Sequence, residues 1–324
     1  LAASNNWVVA GARSATGLPL LANDPHLAAR LPSTWYLAHL EGGRINAIGA
    51  TLPGAPGIVI GHNARIAWGV TNLMADVQDL YVERLNAKGE AEYDGTWEPL
   101  RVVHEVIRVK GAADVPLAVR ISRHGPIVSE AFPHAPGEAL ALRWTALDRD
   151  DTTLEAFLGV MMAGSWEEFT RALSAYRVPV QNWVYADVEG NIGYLAPGRL
   201  PVRAAGDGTL PVPGWVKDYE WTGFLPEQEW PRAFNPPENL LVTANNRALP
   251  LATSHDLSSN WEPGYRAQRI LDLLAKYRLP VTWFIPGIVI GTYPEVCRRI
   301  AEAGHEIGHP GWSHVPPAAL GRDK

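Results

Sequence analysis

Ser4 carries the side chain with the clearest potential for covalent chemistry, because it lies three residues after the first residue of the chain. A hydroxyl is a poor nucleophile unless a base removes its proton, and an N-terminal residue carries an amine that can act as that base. A free α-amine has a pKa of about 7.7 to 8.0, so a useful share is unprotonated near neutral pH. Ser4 would therefore supply both the nucleophile and the base if its nitrogen were free.

Residues 1–3 precede Ser4, so its nitrogen is an amide and has no basicity. We interpret the chain as a precursor in which the Ser4 hydroxyl attacks the Ala3 carbonyl, moves the acyl group from nitrogen to oxygen and loses it to water. The unprocessed chain is then expected to be inactive. The alternative is structural, since a Ser-Asn pair also forms turns and helix caps near frayed termini.

The elements that position Ser4 are predicted to be mostly strands, because short apolar runs alternate with turn residues through the first 265 residues. Each of three predicted hairpins contains a glycine in its turn. The paired strands are residues 7–10 with 18–21, residues 58–60 with 66–70, and residues 182–187 with 191–195. Helix is predicted over residues 152–176, with a break at Gly164 and a capping box formed by Ser165 and Glu168.

The sequence pattern changes after residue 265. A helix is predicted over residues 266–277, a strand over 281–285, a second helix over 294–303 and a strand over 305–307. This is one strand-helix-strand unit of a parallel α/β sheet, which is not stable alone. We therefore predict two regions, residues 1–269 and residues 270–324.

Seven short motifs in the first region, taken together, resemble the β-subunit of the penicillin acylase family over about residues 4–270. They are SNNW at 4–7, NDPHL at 23–27, GHN at 61–63, IAWG at 66–69, DVQDLY at 76–81, TANN at 243–246 and SHD at 254–256. The resemblance implies an α+β fold, an incomplete αββα sandwich of the N-terminal nucleophile hydrolases. It also implies maturation by autoproteolysis before the serine, an α-subunit partner absent from this chain, and a periplasmic or extracellular location.

The same resemblance implies catalytic roles. Ser4 is the expected nucleophile, and His26 is expected to orient its amine and hydroxyl. Amide hydrolysis places negative charge on the former carbonyl oxygen, so fixed donors aimed at it lower the barrier. The side-chain amide of Asn245 and the backbone N–H near Asn72 are expected in that role, with Arg266 positioning the asparagine. The neighbouring Asn246 leaves a one-residue ambiguity, an Asx turn is the alternative for Asn245, and ion pairing is the alternative for Arg266.

A calcium site is predicted from Asp76, Asp79 and the Gln78 carbonyl, joined by Asp256, because oxygen atoms and clustered negative charge suit this ion. A further ligand of the family comes from the absent α-subunit. The alternative is a pair of solvated surface acids. No organic cofactor is predicted.

Composition limits the class of partner. The chain has 324 residues, of which 47% are hydrophobic and 19% charged, with a net charge of -6. A globular chain with this charge and no Lys/Arg run is expected to bind a small substrate, not nucleic acid, and no apolar stretch reaches membrane-helix length. The family resemblance implies that this small-molecule substrate is an amide. Cys297 is the only cysteine, so the sequence allows no intrachain disulfide. The first residue is not methionine, which leads to the expectation of a piece of a longer product.

The second region carries an HExxH match at residues 305–309, but Gly308 and Pro310 disfavour the helix that this zinc motif needs. On a strand the two histidines would lie about 13 Å apart. The segments WFIPG, YPE and GHEIG instead resemble the polysaccharide deacetylase family. The resemblance places the two metal histidines at 310 and at His314, and Pro310 replaces the first, while His309 is one residue out of register.

The function predicted from the sequence is hydrolysis of the acyl amide bond of a β-lactam antibiotic or an acyl-homoserine lactone, through an acyl-enzyme on Ser4. Two alternatives are kept: a degraded metal-dependent carbohydrate N-deacetylase, and a non-catalytic chimeric fragment.

Overall fold

A computed structural model describes residues 3–28, 30–132, 138–247, 257–276, 282–284 and 306–308, together with residues 294, 295, 298 and 302. The helices are α1 Thr153–Met162, α2 Trp166–Leu173 and α3 Tyr265–Lys276. The strands are β1 Asn5–Val9, β2 Leu20–Asp24, β3 Tyr36–Gly42, β4 Ile45–Thr51, β5 Ile60–His62, β6 Ile66–Asn72, β7 Gln78–Glu83, β8 Glu90–Tyr93, β9 Thr96–Pro99, β10 Arg101–Ile107, β11 Val115–Ile121, β12 Ala139–Trp144, β13 Gln181–Asp187, β14 Ile192–Leu195, β15 Pro201–Arg203, β16 Val212–Pro213, β17 Trp221–Phe224, β18 Arg232–Phe234, β19 Leu240–Thr243, β20 Thr282–Phe284 and β21 Glu306–Gly308.

Two antiparallel sheets form the centre of the fold. The larger has the strand order β18-β14-β13-β6-β5-β4-β3, and the smaller has the order β19-β1-β2. The small sheet packs on β6 and β13, and α3 covers its other side through β1 and β19. Helices α1 and α2 cover the opposite face of the large sheet. These four layers confirm the predicted αββα sandwich for the first region.

The alternation of β13 explains why this strand is buried on both faces. Trp183 and Tyr185 point to the helices, where Trp183 contacts Phe157 of α1 and both residues contact Phe169 of α2. Asn182, the preceding residue, points to the small sheet and is fully buried. A strand with period-two alternation thus separates an aromatic core from a polar layer.

The predicted hairpins of β1 with β2 and β13 with β14 are confirmed. The middle hairpin is shifted, because Gly61 and His62 are already paired, with Trp68 and Ala67. Its turn is formed instead by Asn63, whose side-chain oxygen accepts hydrogen bonds from the backbone N–H groups of the two residues that end the turn. An Asx turn of this kind satisfies backbone donors at the end of the turn through a side-chain oxygen.

The predicted break and restart of the long helix are also confirmed. The Ser165 hydroxyl accepts a hydrogen bond from the Glu168 N–H at 3.3 Å, and the Glu168 carboxylate accepts one from the Gly164 N–H at 2.7 Å. The capping serine and glutamate therefore satisfy two backbone donors at the start of α2.

In the second region, β20 and β21 are parallel neighbours, with Thr282 opposite Glu306. This confirms the predicted parallel pair, and Glu306–Gly308 is a strand, as expected from the residues that disfavour a zinc-binding helix there. Helix α3 continues across the predicted boundary at residue 269 and packs on β1 and β19. The division into two regions stays a prediction. No helix of the described residues has the length and apolar character needed to cross a membrane.

Candidate active site

Ser4 lies directly before β1, the central strand of the small sheet. Asn5 is opposite Asp24 of β2, and Asn6 is opposite Thr243 of β19, so the backbone that follows Ser4 is held from both sides. Ser4 is 8% exposed. The strand pairing thus fixes a buried serine at the edge of the layer between the two sheets.

Asn245 closes a two-bond ring with Ser4. The Ser4 backbone N–H donates to Asn245 Oδ1 at 2.9 Å, and Asn245 Nδ2 donates to Ser4 Oγ at 3.1 Å. Asn245 has φ +62°, in the left-handed region that asparagine tolerates better than most residues, and it is 3% exposed. This backbone turn after β19 directs the Asn245 side chain back toward β1. The amide that contacts Ser4 is therefore that of Asn245 and not that of Asn246, which donates to the Arg247 carbonyl.

Arg266, in the first turn of α3, ties the ring to the small sheet. Its Nη1 donates to the Ser4 carbonyl and to Asn5 Oδ1, both at 2.8 Å, and its Nη2 donates to Asn245 Oδ1 at 3.0 Å. The planar fork of the guanidinium holds these three oxygens more rigidly than the rotatable donors of an ammonium would. Since Asn245 Oδ1 then faces Arg266 and the Ser4 nitrogen, the Nδ2 end must face the Ser4 hydroxyl.

Asn72, the last residue of β6, contributes its backbone to this cluster. Its carbonyl oxygen accepts from Asn245 Nδ2 at 3.0 Å and from Asn182 Nδ2 at 3.2 Å. Its side chain is engaged locally with Met74. The structure therefore places the Asn72 peptide beside Asn245, and the predicted donor role of a backbone N–H at this position stays a prediction.

His26 lies next to Ser4 through its backbone, because its carbonyl oxygen accepts the Ala3 N–H at 3.3 Å. Its ring is turned away: Nδ1 lies 3.1 Å from the Asp24 carbonyl oxygen and 3.0 Å from Asp24 Oδ2, and 39% of the side chain is exposed. Within the part of the chain that the structure describes, no hydrogen bond joins the ring to Ser4. The role assigned to His26 stays a prediction.

The guanidinium group of Arg203 is bonded to two of the residues predicted to bind calcium, Asp76 and Asp79. Arg203 Nε lies 2.9 Å from Asp79 Oδ2, and its Nη2 lies 2.7 Å from Asp79 Oδ1 and 3.2 Å from the Asp76 carbonyl oxygen. Trp221 Nε1 donates to Asp79 Oδ2 at 2.6 Å. A Cβ on Gly208 would lie within 2.7 Å of Asp76 Oδ2, Asp79 Oδ1 and Arg203 Nη2, so the space between the acids is filled.

Asp79 is 4% exposed and already neutralised, so the described residues do not fit a calcium ion between Asp76 and Asp79. No group of three or more His, Cys, Asp or Glu side chains positioned for a metal occurs among the described residues. Gln78 is at the start of β7, and Asp256 lies outside the described residues. Calcium stays a prediction.

Sequence reasoning missed Arg203 and Trp221, which are 124 and 142 residues from Asp79 and carry no local spacing signal.

A second buried ionisable cluster lies away from Ser4. His124 is 3% exposed, its Nδ1 lies 2.8 Å from Glu83 Oε1, and its Nε2 lies 3.1 Å from Glu220 Oε1. Its ring stacks on Tyr81 at 3.9 Å between centroids. Burial alone would lower the pKa of His124, but hydrogen bonds to the two carboxylates outweigh it and raise that pKa, while the bond from His124 lowers the pKa of Glu220.

A cavity of about 680 Å³ opens beside Asn72. Besides Asn72, its lining includes residues 74–77, the start of β7, Leu142 of β12, the loop before β16, and residues 258–260. Polar groups such as Gln78, Thr209 and Ser258 contribute to it. The space is therefore adjacent to Asn72, whose carbonyl contacts Asn245, and it presents polar groups on one side.

His309, Pro310 and His314, on which the deacetylase prediction depends, lie outside the described residues. That prediction is not tested by the geometry and stays a prediction.

Comparison with known proteins gives two family matches. Residues 1–283 match the penicillin amidase family, and residues 256–323 match the polysaccharide deacetylase family. The two matches overlap in the segment that contains α3.

Curated and solved relatives agree with the first match. The chain is 37% identical over 273 residues to the penicillin acylase 2 proenzyme of Pseudomonas sp. strain SE83, covering 84% of this chain and 35% of that protein. It is 36% identical over 286 residues to the acyl-homoserine lactone acylase QuiP of Pseudomonas aeruginosa, covering 84% and 34%. A thermostable penicillin G acylase from Alcaligenes faecalis superposes with a TM-score of 0.75 at 30% identity, covering 85% and 50%. The chain thus spans about a third of the length of these curated relatives.

Proposed function

This chain belongs to the penicillin amidase family, and from that premise we propose that it forms part of an amidohydrolase in which Ser4 becomes the N-terminal nucleophile. The ring of hydrogen bonds between Ser4 and Asn245 is the observation that carries the proposal. It holds the nucleophilic oxygen 3.1 Å from an amide donor and the future amine 2.9 Å from the oxygen of the same side chain, in a buried site.

Maturation comes first in this proposal. Ser4 Oγ attacks the Ala3 carbonyl carbon, the C–N bond breaks, and the Ser4 nitrogen receives a proton as the acyl group moves to oxygen. Water then hydrolyses the ester, releasing residues 1–3 with a new carboxylate and leaving Ser4 with a free hydroxyl and a free α-amine. Asn245 Oδ1, which lies 2.9 Å from the Ser4 nitrogen in the unprocessed chain, would orient the freed amine.

Substrate hydrolysis would use the same groups. The α-amine takes the proton from Ser4 Oγ as this oxygen attacks the substrate carbonyl, and the resulting ammonium gives the proton to the leaving amine. Water then attacks the acyl-enzyme ester, with the amine again acting as base, and releases the acid. Asn245 Nδ2, which points at Ser4 Oγ, would donate to the oxyanion that forms beside this atom.

Arg266 would act as a positioning residue. It contacts the Ser4 carbonyl and Asn245 Oδ1, not the reacting atoms, so its effect is to decide which end of the Asn245 amide faces the substrate. His26 would contribute after a rotation that frees its ring from Asp24.

The substrate class follows from the relatives. They are named as penicillin acylases and acyl-homoserine lactone acylases, so we propose an acyl amide of a β-lactam or of a homoserine lactone. An α-subunit partner and a periplasmic or extracellular location belong to the same proposal, and they rest on family resemblance.

Co-expression of this chain with the α-subunit of a penicillin acylase tests the proposal. We expect intact mass to show loss of residues 1–3, and the complex to hydrolyse a chromogenic acyl anilide. Ser4→Ala should prevent both, whereas Ser14→Ala, in the turn between β1 and β2, should behave as the parent chain. Processing and turnover that survive Ser4→Ala would refute the proposal, as would their absence from the parent complex.

A further inference from the structure

A chain of buried hydrogen bonds lies directly beneath Ser4, between the two central sheets. Asn182 of β13 donates through Nδ2 to Thr71 Oγ1 at 3.0 Å and to the Asn72 carbonyl at 3.2 Å. Its Oδ1 accepts the Tyr194 hydroxyl of β14 at 2.7 Å. Asn182 and Tyr194 are at most 1% exposed. Both ends of the Asn182 amide are therefore bonded in a site without access to bulk water.

A second branch of this chain reaches the strand that follows Ser4. Thr71 Oγ1 lies 2.6 Å from Thr243 Oγ1, which donates to Asn6 Oδ1 at 2.6 Å. These residues are also at most 1% exposed. The branch links β6, β19 and β1, so a movement of any of these strands would break short hydrogen bonds.

Such a polar layer is costly in the interior of a sandwich. A buried amide or hydroxyl without a partner is strongly disfavoured, so the bonds among Tyr194, Asn182, Thr71 and Thr243 favour a single arrangement of these side chains. Asn6 Nδ2, at the end of the second branch, has no hydrogen-bond partner among the described residues. Asn182 also interrupts an apolar strand face that continues with Val184 and Ala186. An apolar residue at this position would pack without needing hydrogen-bond partners. The amide of Asn182 is therefore better explained by a role other than packing.

The Asn72 carbonyl oxygen connects this network to the candidate active site. It accepts one hydrogen bond from Asn182 Nδ2 and another from Asn245 Nδ2, at 3.2 and 3.0 Å. Asn245 Nδ2 also donates to Ser4 Oγ. One carbonyl oxygen thus lies between the buried network and the amide that faces the nucleophile.

We propose that Tyr194 and Asn182 are positioning residues, which hold the Asn72 carbonyl in place and thereby aim the Asn245 amide at the oxyanion formed at Ser4. The proposal rests on the function proposed above. Neither residue touches the reacting atoms, so both act through the Asn72 peptide.

Tyr194 determines the orientation of the Asn182 amide. Its hydroxyl donates to Oδ1, so the NH₂ end must face the Thr71 hydroxyl and the Asn72 carbonyl. Without that hydroxyl, Asn182 Oδ1 loses its donor, and one of the contacts that favour this orientation over the reversed one is lost. The reversed orientation places an oxygen against the Asn72 carbonyl oxygen and repels it. A displacement of the reacting geometry by about 1 Å can lower a rate 10²-fold.

Tyr194→Phe tests the proposal in the full chain co-expressed with an acylase α-subunit. We expect kcat for the acyl anilide to fall about tenfold with KM little changed, because donor alignment in the transition state is lost and substrate binding is not. The matched control is Tyr185→Phe, which removes another fully buried hydroxyl from the same sheet, one that donates to Asp187 at 2.8 Å and has no link to Asn72. Thermal unfolding is measured for both variants.

A double-mutant cycle separates positioning from a loss of packing. If Tyr194 acts through Asn182, Tyr194→Phe should lower kcat no further in an Asn182→Ala background. Should Tyr194→Phe alone not fold, Asn182→Asp provides the test, because it retains the acceptor for Tyr194 and removes the donor to Asn72; kcat should again fall with KM unchanged. Equal kcat in the Tyr194→Phe and Tyr185→Phe variants, or additive losses in the cycle, would overturn the positioning role alone. A parent complex that is neither processed nor active would overturn the proposed function and this inference with it.

Discussion

Replacing Asn245 by aspartate is the sharpest test of the proposed oxyanion donor. Aspartate has nearly the same shape and tolerates the φ of +62° at this position, so the turn after β19 should persist. Its two oxygens can still accept from the Ser4 nitrogen and from Arg266, which now lies beside a carboxylate. The substitution therefore removes the NH₂ donor while retaining the surrounding fold.

The size of the effect follows from the contacts that are lost. Asn245 Nδ2 donates to Ser4 Oγ and to the Asn72 carbonyl, and an aspartate at 245 would face both with an oxygen. Loss of one oxyanion donor costs about 2.7–4 kcal/mol of transition-state stabilisation, or 10²–10³ in kcat. The carboxylate would also favour the protonated form of the Ser4 amine and so weaken the base, which adds to the loss near neutral pH.

The assay is kcat and KM for an acyl anilide, measured on the processed complex, with the rate of Ser4 acylation by a sulfonyl fluoride as a second readout. Asn246→Asp is the matched control, since among the described residues this neighbouring amide bonds to the backbone at Ala244 and Arg247 and not to Ser4. The reasoning is refuted if kcat of Asn245→Asp stays within about fivefold of the parent value. It is also refuted if the Asn246→Asp variant loses as much.

Three further outcomes are expected. Chelator should leave the thermal unfolding midpoint of the parent chain unchanged, because Arg203 already neutralises the charge of Asp79. The Arg203→Met variant should instead be stabilised by added Ca²⁺. A midpoint of the parent chain that falls with chelator would support the calcium prediction. The raised pKa of His124 means that its charged form stabilises the fold fully below the unfolded pKa of about 6.5 and that this contribution is lost as pH rises through the folded pKa. Urea titrations from below about pH 6.5 upward should show that the free energy of unfolding depends less on pH in His124→Gln than in the parent chain. The same dependence on pH in both proteins would contradict the raised pKa of His124. Gly69→Ala should lower the free energy of unfolding by about 1–3 kcal/mol, because the new Cβ would lie 2.5 Å from Asn23 Oδ1 of β2. A urea midpoint equal to that of the parent chain would contradict this prediction and show that β2 can shift to accept the methyl group.

The elements near the candidate site were largely predictable from the sequence. The alternation of apolar residues and the turn glycines place β1 with β2 and β13 with β14, and the serine and glutamate before α2 mark its start. These signals are local, because a strand, a turn or a cap is determined by residues within a few positions of one another. The middle hairpin differed because the side chain of Asn63 forms the turn, a choice that a glycine pattern does not reveal.

The candidate site itself was predictable only through family resemblance. The resemblance predicts Ser4, Asn245 and Arg266, and the structure places them in hydrogen-bond contact. The resemblance also predicts His26, but its ring is bonded to Asp24. Sequence spacing could not have shown that Asn245 contacts Ser4 while the His26 ring does not, because the orientation of each side chain depends on neighbours from other strands.

The sequence by itself determined the local elements around the candidate site, because apolar alternation and turn residues mark strands β1, β2, β13 and β14. The tertiary structure decided which groups meet: 241 residues separate Ser4 from Asn245, and 124 separate Asp79 from Arg203. The buried layer of Asn182 and Tyr194 had no sequence signal either. Periodicity records which face of a strand a residue occupies, but not which residue of another strand lies opposite, and only the packing of the two sheets supplies that partner.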